Sequence, residues 1–139
     1  MNGHWSAIPL VIVLAMAALP SGPTLAGGRN DYLLHCGGCH LENGAGNPPE
    51  VPDLRVDIDW LAGSPEGRSY LTRVPGASQV PISDKRLAAV FNWIFVTYYP
   101  DSALAPFDAR EIARTRKLPL FDPLKARSEL TQVRLSANP

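Results

Sequence analysis

The chain has 139 residues, and its 13 basic and 13 acidic side chains give a formal net charge of zero. This balance argues against nucleic acid or an anionic membrane as the main partner. The length allows one small domain, whose own apolar burial is marginal for a stable fold.

The first segment is typical of an export signal. Residues 7–19 form an almost uninterrupted apolar run, and Thr24-Leu25-Ala26 after it is a small-residue cleavage site. We therefore predict a signal peptide over residues 1–26 and a soluble periplasmic protein over residues 27–139. An uncleaved anchor is the alternative and the only membrane contact that we expect. The run is shorter than the roughly 20 residues that a membrane-spanning helix needs.

The next informative stretch is Cys36-Gly37-Gly38-Cys39-His40. Two thiols three positions apart, followed directly by histidine, are the attachment pattern of c-type haem. On one helical turn Cys36 and Cys39 can add to two vinyl groups of a porphyrin while His40 ligates the iron. The motif predicts one covalent haem c, whose apolar surface adds to the core.

Three other interpretations of this motif compete with haem attachment. A thioredoxin-type redox pair needs an alternating strand and helix pattern, which the chain lacks. A zinc site with Cys36 and Cys39 would take two more ligands from His35, His40 and a carboxylate, yet no second Cys or His pair follows downstream. A disulfide would close a small, strained loop and leave His40 without a role.

Capping residues and helical spacing predict an all-α protein. Glycine, proline and asparagine are frequent in residues 41–56, so an irregular loop is expected there. The strongest helix is Ser83–Tyr99, where apolar residues recur at helical spacing and Pro100 ends the run. The other predicted helices are a short one capped by Asn30 or Asp31 that leads into the cysteines, a turn at Asp59–Gly63, Pro65–Arg73 between the Ser64 cap and Pro75-Gly76, Asp108–Lys117, and a short one from Pro123.

The chain resembles the class I bacterial monohaem cytochromes c over roughly residues 31–99. Pro52-Asp53-Leu54 is similar to the Pro-x-Leu segment of that family, whose proline carbonyl accepts a hydrogen bond from the ring N–H of the ligating histidine. The resemblance implies that Pro52 and Leu54 belong to the haem site and that Pro52 orients His40. The alternative acceptors are Pro48 and Pro49.

Two more segments carry the same resemblance. Residues 80–90 resemble the stretch that leads into the last core helix of the family, and Trp93 matches the aromatic residue that packs that helix against the first one. The resemblance implies a cytochrome c-like small helical domain wrapped around one covalently bound haem. Its core would cover about residues 31–99, with a helical C-terminal extension over 100–139 that either covers the core or binds a partner.

The family usually supplies a methionine before its last helix as the sixth iron ligand, and this chain has Val80-Pro81 there. Its two methionines, Met1 and Met16, lie in the predicted signal peptide, as does His4. His35 directly precedes the attachment cysteines and is held on their side. We therefore expect the sixth position of the iron to be open or occupied by water. A lysine is the next most favoured ligand. The other conceivable ligands besides Lys85 are Tyr70, Tyr98, Tyr99, Ser78, Gln79 and the Gly27 amine.

The missing methionine leaves two functions open. Loss of a thioether ligand lowers the haem potential and can open the iron to small molecules such as nitric oxide or carbon monoxide. We expect an electron carrier, not an enzyme, that passes electrons to or from a periplasmic dehydrogenase or oxidase through the haem edge near residues 36–40. The alternative is a haem-based gas-binding or sensing protein. Peroxidatic catalysis is disfavoured because no distal histidine is present.

Overall fold

The computed structural model describes residues 25–137, and within that range every regular element is a helix, so the all-α class is confirmed. One isolated antiparallel bridge joins Asn47 to Val51. None of the helices in this range has the length and apolar character needed to cross a membrane. In chain order the helices are α1 (Leu25–His35), α2 (Gly37–His40), α3 (Ile58–Ala62), α4 (Pro65–Arg73), α5 (Pro75–Gln79), α6 (Asp84–Tyr98), α7 (Ala109–Thr115) and α8 (Pro123–Ala137).

Two capping residues predicted from the sequence, Ser64 and Ser83, begin their helices as expected, and Asp108 caps a third. Ser64 Oγ accepts a hydrogen bond of 3.1 Å from a backbone amide in the first turn of α4, and Ser83 Oγ accepts one of 3.3 Å in α6. The Asp108 carboxylate accepts two amides of α7 at 2.8 Å. Each cap satisfies amides that have no carbonyl partner within the helix.

The start of α1 differs from the prediction. Asn30 and Asp31 were expected as caps but lie inside the helix, which also includes Gly27 and Gly28. Glycine ordinarily disfavours the helix interior because it loses more backbone freedom than other residues. Tertiary packing outweighs that preference here, since Gly28 is buried where α1 crosses α6.

Two later elements also differ from the sequence-based prediction. Pro75-Gly76 was expected only as the stop of α4, but Pro75 opens the short helix α5. The helix from Pro123 was expected to be short and has 15 residues.

The predicted signal peptide lies outside the described residues up to position 24. Its last two residues, Leu25 and Ala26, belong to α1.

The crossing of α1 and α6 organises the core. A Cβ on Gly28 would overlap the backbone carbonyl of Ala89 and lie 3.0 Å from the Cβ of Trp93. One turn later, the fully buried Tyr32 ring lies 4.8 Å from the Trp93 ring between centroids. The expected packing of Trp93 against the first helix is therefore confirmed. Glycine lets the two backbones approach closely enough for the aromatic residues to fill the space beside them.

An ion pair also joins α1 to α6. The Arg86 guanidinium donates to both oxygens of Asp31, and its Nε lies 2.9 Å from Oδ2. The Asp31 carboxylate is mostly buried, whereas the Arg86 side chain is about half exposed. The side-chain hydrogen bond from Arg86 holds the pKa of Asp31 below its ordinary value.

We predict that Asp31→Asn lowers the free energy of unfolding by about 1 kcal/mol at neutral pH, because solvent partly screens this pair. A carboxylate with a depressed pKa stabilises the fold above its unfolded value of about 3.9, and that contribution is lost as the pH falls through the lower folded value. The difference between wild type and variant in urea titrations should therefore shrink between about pH 5 and pH 3. A constant difference across that range would contradict the assigned role.

The C-terminal extension is part of the core. Phe107 and Ile112 are 3 % and 0 % exposed, so this part of the extension packs into the core, whereas the sequence left open whether the extension covers the core or binds a partner. Arg68 of α4 donates to both carboxylate oxygens of Glu111 in α7 at 2.6 and 2.7 Å, and its guanidinium stacks 3.9 Å from the Phe107 ring. The Asn92 side-chain amide exchanges two hydrogen bonds with the backbone of Phe107. The extension and the preceding helices form one packed unit.

Candidate functional site

The three residues of the attachment motif lie on one turn of chain between α1 and the end of α2. The Cys36 amide donates to the Tyr32 carbonyl at 2.8 Å, and the Cys39 and His40 amides donate to the Cys36 carbonyl at 3.1 and 2.9 Å. Both cysteines are free thiols, with Cys36 half-buried and Cys39 exposed. Cys36, Cys39 and His40 therefore share a single helical turn of backbone, as the motif predicted, although the two cysteine side chains are not close together.

The His40 side chain is oriented by a backbone carbonyl. His40 Nδ1 lies 3.1 Å from the oxygen of Pro52, which is the contact that the family resemblance implied; Pro48 and Pro49, the rival acceptors, do not make it. A carbonyl oxygen can only accept, so Nδ1 must carry the proton in this hydrogen bond. In the neutral ring the lone pair then resides on Nε2, which is the atom available to a metal.

Burial shifts the pKa values of His40 and Cys36 in opposite directions. It lowers the pKa of His40, against a smaller opposing effect of the hydrogen bond to Pro52, and so favours the neutral imidazole that metals bind. Burial raises the pKa of Cys36 to about 11, with further contributions from Asp31 and Cys39. A raised thiol pKa argues against a thioredoxin-type redox pair, whose attacking cysteine has a lowered pKa.

The loop over residues 41–57 is folded back onto the motif by its own backbone. Gly44 and Gly46 have φ angles of 78° and 61°, a left-handed conformation that glycine adopts without strain. The Gly46 amide donates to the His40 carbonyl at 3.0 Å, and the Leu54 amide donates to the Gly44 carbonyl at 2.8 Å. These bonds place Pro52 beside the imidazole of His40, which precedes it by twelve residues.

Two tyrosines from the long helices fasten the same loop. Tyr32 in α1 donates its hydroxyl to the Leu41 carbonyl at 2.6 Å. Tyr99, at the end of α6, donates to the Leu54 carbonyl at 2.9 Å and accepts from the Ile58 amide at 3.2 Å. Neither phenol was predicted to have this role. Tyr32 lies four residues before Cys36, one helical turn away, and that spacing was the available signal.

The structure limits the expected sixth-ligand candidates. The Tyr99 hydroxyl is bonded within the loop that holds Pro52, and the Tyr98 hydroxyl donates to the Glu42 carbonyl of that loop at 3.5 Å. Both phenols therefore contact the loop that carries Pro52. Tyr70 is buried on α4, and Val80, at the position where the family has methionine, is 8 % exposed.

No family model, no curated protein and no solved structure matches this chain. Residues 25–137 contain no group of three or more His, Cys, Asp or Glu side chains placed to hold a metal ion by themselves.

The residues that are present fit a haem held by two thioethers and one imidazole. The two thiols and the lone pair on His40 Nε2 supply the donor set that such a group needs. A Cβ built on Gly38 would meet no atom within 4 Å, and one on Gly37 would meet only ordinary contacts. Packing within the described chain therefore does not require glycine at either position.

Proposed function

We propose that this protein is a periplasmic c-type cytochrome that carries electrons on one covalent haem c. In this proposal Cys36 and Cys39 hold the porphyrin through thioethers, and His40 Nε2 ligates the iron. Bound haem supplies one-electron redox chemistry through its iron. The observation that carries the proposal is the 3.1 Å hydrogen bond between His40 Nδ1 and the Pro52 carbonyl, directly after two free thiols on one turn.

The chain's own residues would hold and orient the group. The Pro52 carbonyl sets the tautomer and direction of the His40 ring and increases its basicity as a ligand. Leu54 is half-buried against the core, and both its amide and its carbonyl are hydrogen-bonded, so the segment that carries Pro52 is fixed in place. A ligand held this rigidly loses little freedom when it binds, which favours a permanently bound cofactor.

The surface around the motif suits contact with a redox partner. Cys39 is exposed, and the two leucines that flank the motif, Leu34 and Leu41, are 75 % and 48 % exposed. Apolar side chains around an exposed cofactor edge are the kind of surface that another protein can cover. A periplasmic dehydrogenase or oxidase is the partner that we propose.

The second candidate function is binding or sensing of a small gas. The observation that favours it is the buried, apolar Val80 at the position where the resembled family supplies methionine. An aliphatic side chain cannot ligate iron, so it would leave the sixth position to water or to a diatomic molecule.

Rapid mixing distinguishes the two functions. The ferrous protein is mixed in one experiment with a solubilised terminal oxidase under oxygen and in another with carbon monoxide. If the protein is an electron carrier, its oxidation by the oxidase should be faster than formation of the carbon monoxide adduct. Rapid, tight binding of carbon monoxide with slow oxidation would overturn electron transfer in favour of the gas-binding function.

A further inference from the structure

The connection between α7 and α8 exposes three large apolar side chains. Phe121 is fully exposed, and Leu118 and Leu124 are 64 % and 55 % exposed. These side chains lie in the segment over residues 117–125, which we name the apolar tip. It belongs to the C-terminal extension, outside the part of the chain that resembles the cytochromes c. Exposed apolar side chains concentrated in so short a segment indicate contact with a partner surface.

The backbone of the apolar tip is fixed at both ends. The Leu118 carbonyl accepts a hydrogen bond of 2.6 Å from Arg73 Nε, and the Leu120 amide donates to the Arg73 carbonyl at 2.9 Å. The Leu120 side chain packs half-buried against the core. At the other end, the Asp122 carboxylate accepts from the Lys125 amide at 2.8 Å. Because the backbone is held in this way, the exposed side chains lose little freedom when a partner covers them.

Several polar groups of the apolar tip already have partners or are missing. Pro119 and Pro123 have no amide hydrogen, and the amides of Leu118 and Leu120 are bonded to carbonyls of the chain. The one carboxylate in the tip, that of Asp122, is occupied by its bond to the start of α8. A segment with few unbonded donors loses little when a less polar medium replaces the water around it.

The charge of the chain is divided unequally between its two parts. Residues 25–108 contain six Lys or Arg and ten Asp or Glu, whereas residues 109–137 contain seven and three. The net charge of zero for the whole chain therefore conceals a basic extension. Such a local excess attracts a surface of opposite charge.

Three cations of this extension precede or begin the apolar tip. Arg110 and Arg114 are four residues apart and so lie on the same face of α7, and Lys117 follows that helix. All three are exposed, and no ion pair within residues 25–137 involves them. The tip therefore combines exposed apolar side chains with nearby cations that no carboxylate of the described chain binds.

We infer that the apolar tip binds the surface of an anionic phospholipid bilayer. Phe121, Leu118 and Leu124 would enter the boundary between headgroups and acyl chains, while the neighbouring cations would contact lipid phosphates. A bilayer accepts apolar side chains singly, whereas a protein partner would need a hollow shaped for each of them. The inference does not depend on bound haem, so it can fail or hold separately from the proposed function.

Sedimentation of the secreted, full-length protein with vesicles tests the apolar contact. Wild type should bind vesicles of phosphatidylethanolamine and phosphatidylglycerol. Phe121→Ala should bind about tenfold more weakly, and Phe121→Trp should bind at least as tightly as wild type, because tryptophan favours the membrane interface. Leu118→Ala should also weaken binding. Its matched control is Leu34→Ala, which shortens a leucine of α1 that is 75 % exposed and should leave binding unchanged.

The same assay tests the role of charge. Arg114→Gln should weaken binding to the anionic vesicles about fivefold, and wild type should bind vesicles of phosphatidylcholine alone much more weakly than the anionic ones. Arg29→Gln is the matched control, because it removes the same charge from an exposed arginine of α1. Added salt should weaken the binding of wild type to the anionic vesicles.

Three results would overturn the inference. Equal binding by wild type and Phe121→Ala would show that another part of the chain, such as an uncleaved signal peptide, makes the contact. Equal weakening in the two control variants would show that the tip has no special role. A wild-type protein that binds neither kind of vesicle would exclude the bilayer and favour a protein partner with an acidic surface.

Discussion

Gly28→Ala is expected to lower the free energy of unfolding by about 3 kcal/mol. The added methyl group would overlap the carbonyl of Ala89, which belongs to the backbone of α6 and cannot rotate away as a side chain can. The two helices would have to separate, and the contact between Tyr32 and Trp93 would loosen with them. Alanine is the better helix former by about 1 kcal/mol, so the overlap must outweigh that gain for the prediction to hold.

Urea titration followed by circular dichroism measures this effect. The matched control is Gly76→Ala in α5, where an added Cβ would meet no atom within 4 Å. That variant should be unchanged or slightly stabilised, because only the helix preference acts there. A Gly28→Ala protein as stable as wild type would show that α1 and α6 do not cross as closely as the structure has them.

Replacing both Cys36 and Cys39 with serine is expected to abolish covalent attachment of haem completely. Serine preserves the size of each side chain but cannot form a thioether, so any pigment held by His40 alone should be lost on denaturation. A single substitution leaves one possible thioether and should weaken attachment without abolishing it. The measurement is haem-stained denaturing gel electrophoresis of the secreted proteins.

His40→Ala serves as the complementary variant. It keeps both thiols but removes the imidazole, so attachment chemistry remains possible while axial ligation from this side is lost. Its optical spectrum should therefore differ from that of wild type even where pigment is retained. Normal haem retention in the double cysteine variant would contradict the attachment that we propose.

Local signals carried most of what the sequence could predict about the fold. Ser64 and Ser83 cap helices through bonds that span three residues, and the spacing of apolar residues in α6 depends only on neighbours along the helix. The contact between His40 and Pro52 was predictable for another reason, because a resemblance in a fixed spacing of twelve residues supplied it. The haem itself and the function of the protein remain predictions.

The features that escaped prediction depend on partners far along the chain. Asp31 has the residue type of a helix cap, and its partner Arg86 is 55 residues away. Gly28 resembles a linker glycine until α6 is placed against it. Nothing near Arg116 in the sequence shows that its guanidinium donates to three backbone carbonyls of another segment. Tertiary packing outweighs local preference at each of these positions.

The intact mass of the purified, secreted wild-type protein under denaturing conditions is the most direct test of the central proposal. We predict the mass of the polypeptide plus one haem, with neither Cys36 nor Cys39 available to an alkylating reagent. The mass of the bare polypeptide, with both thiols alkylated, would contradict it.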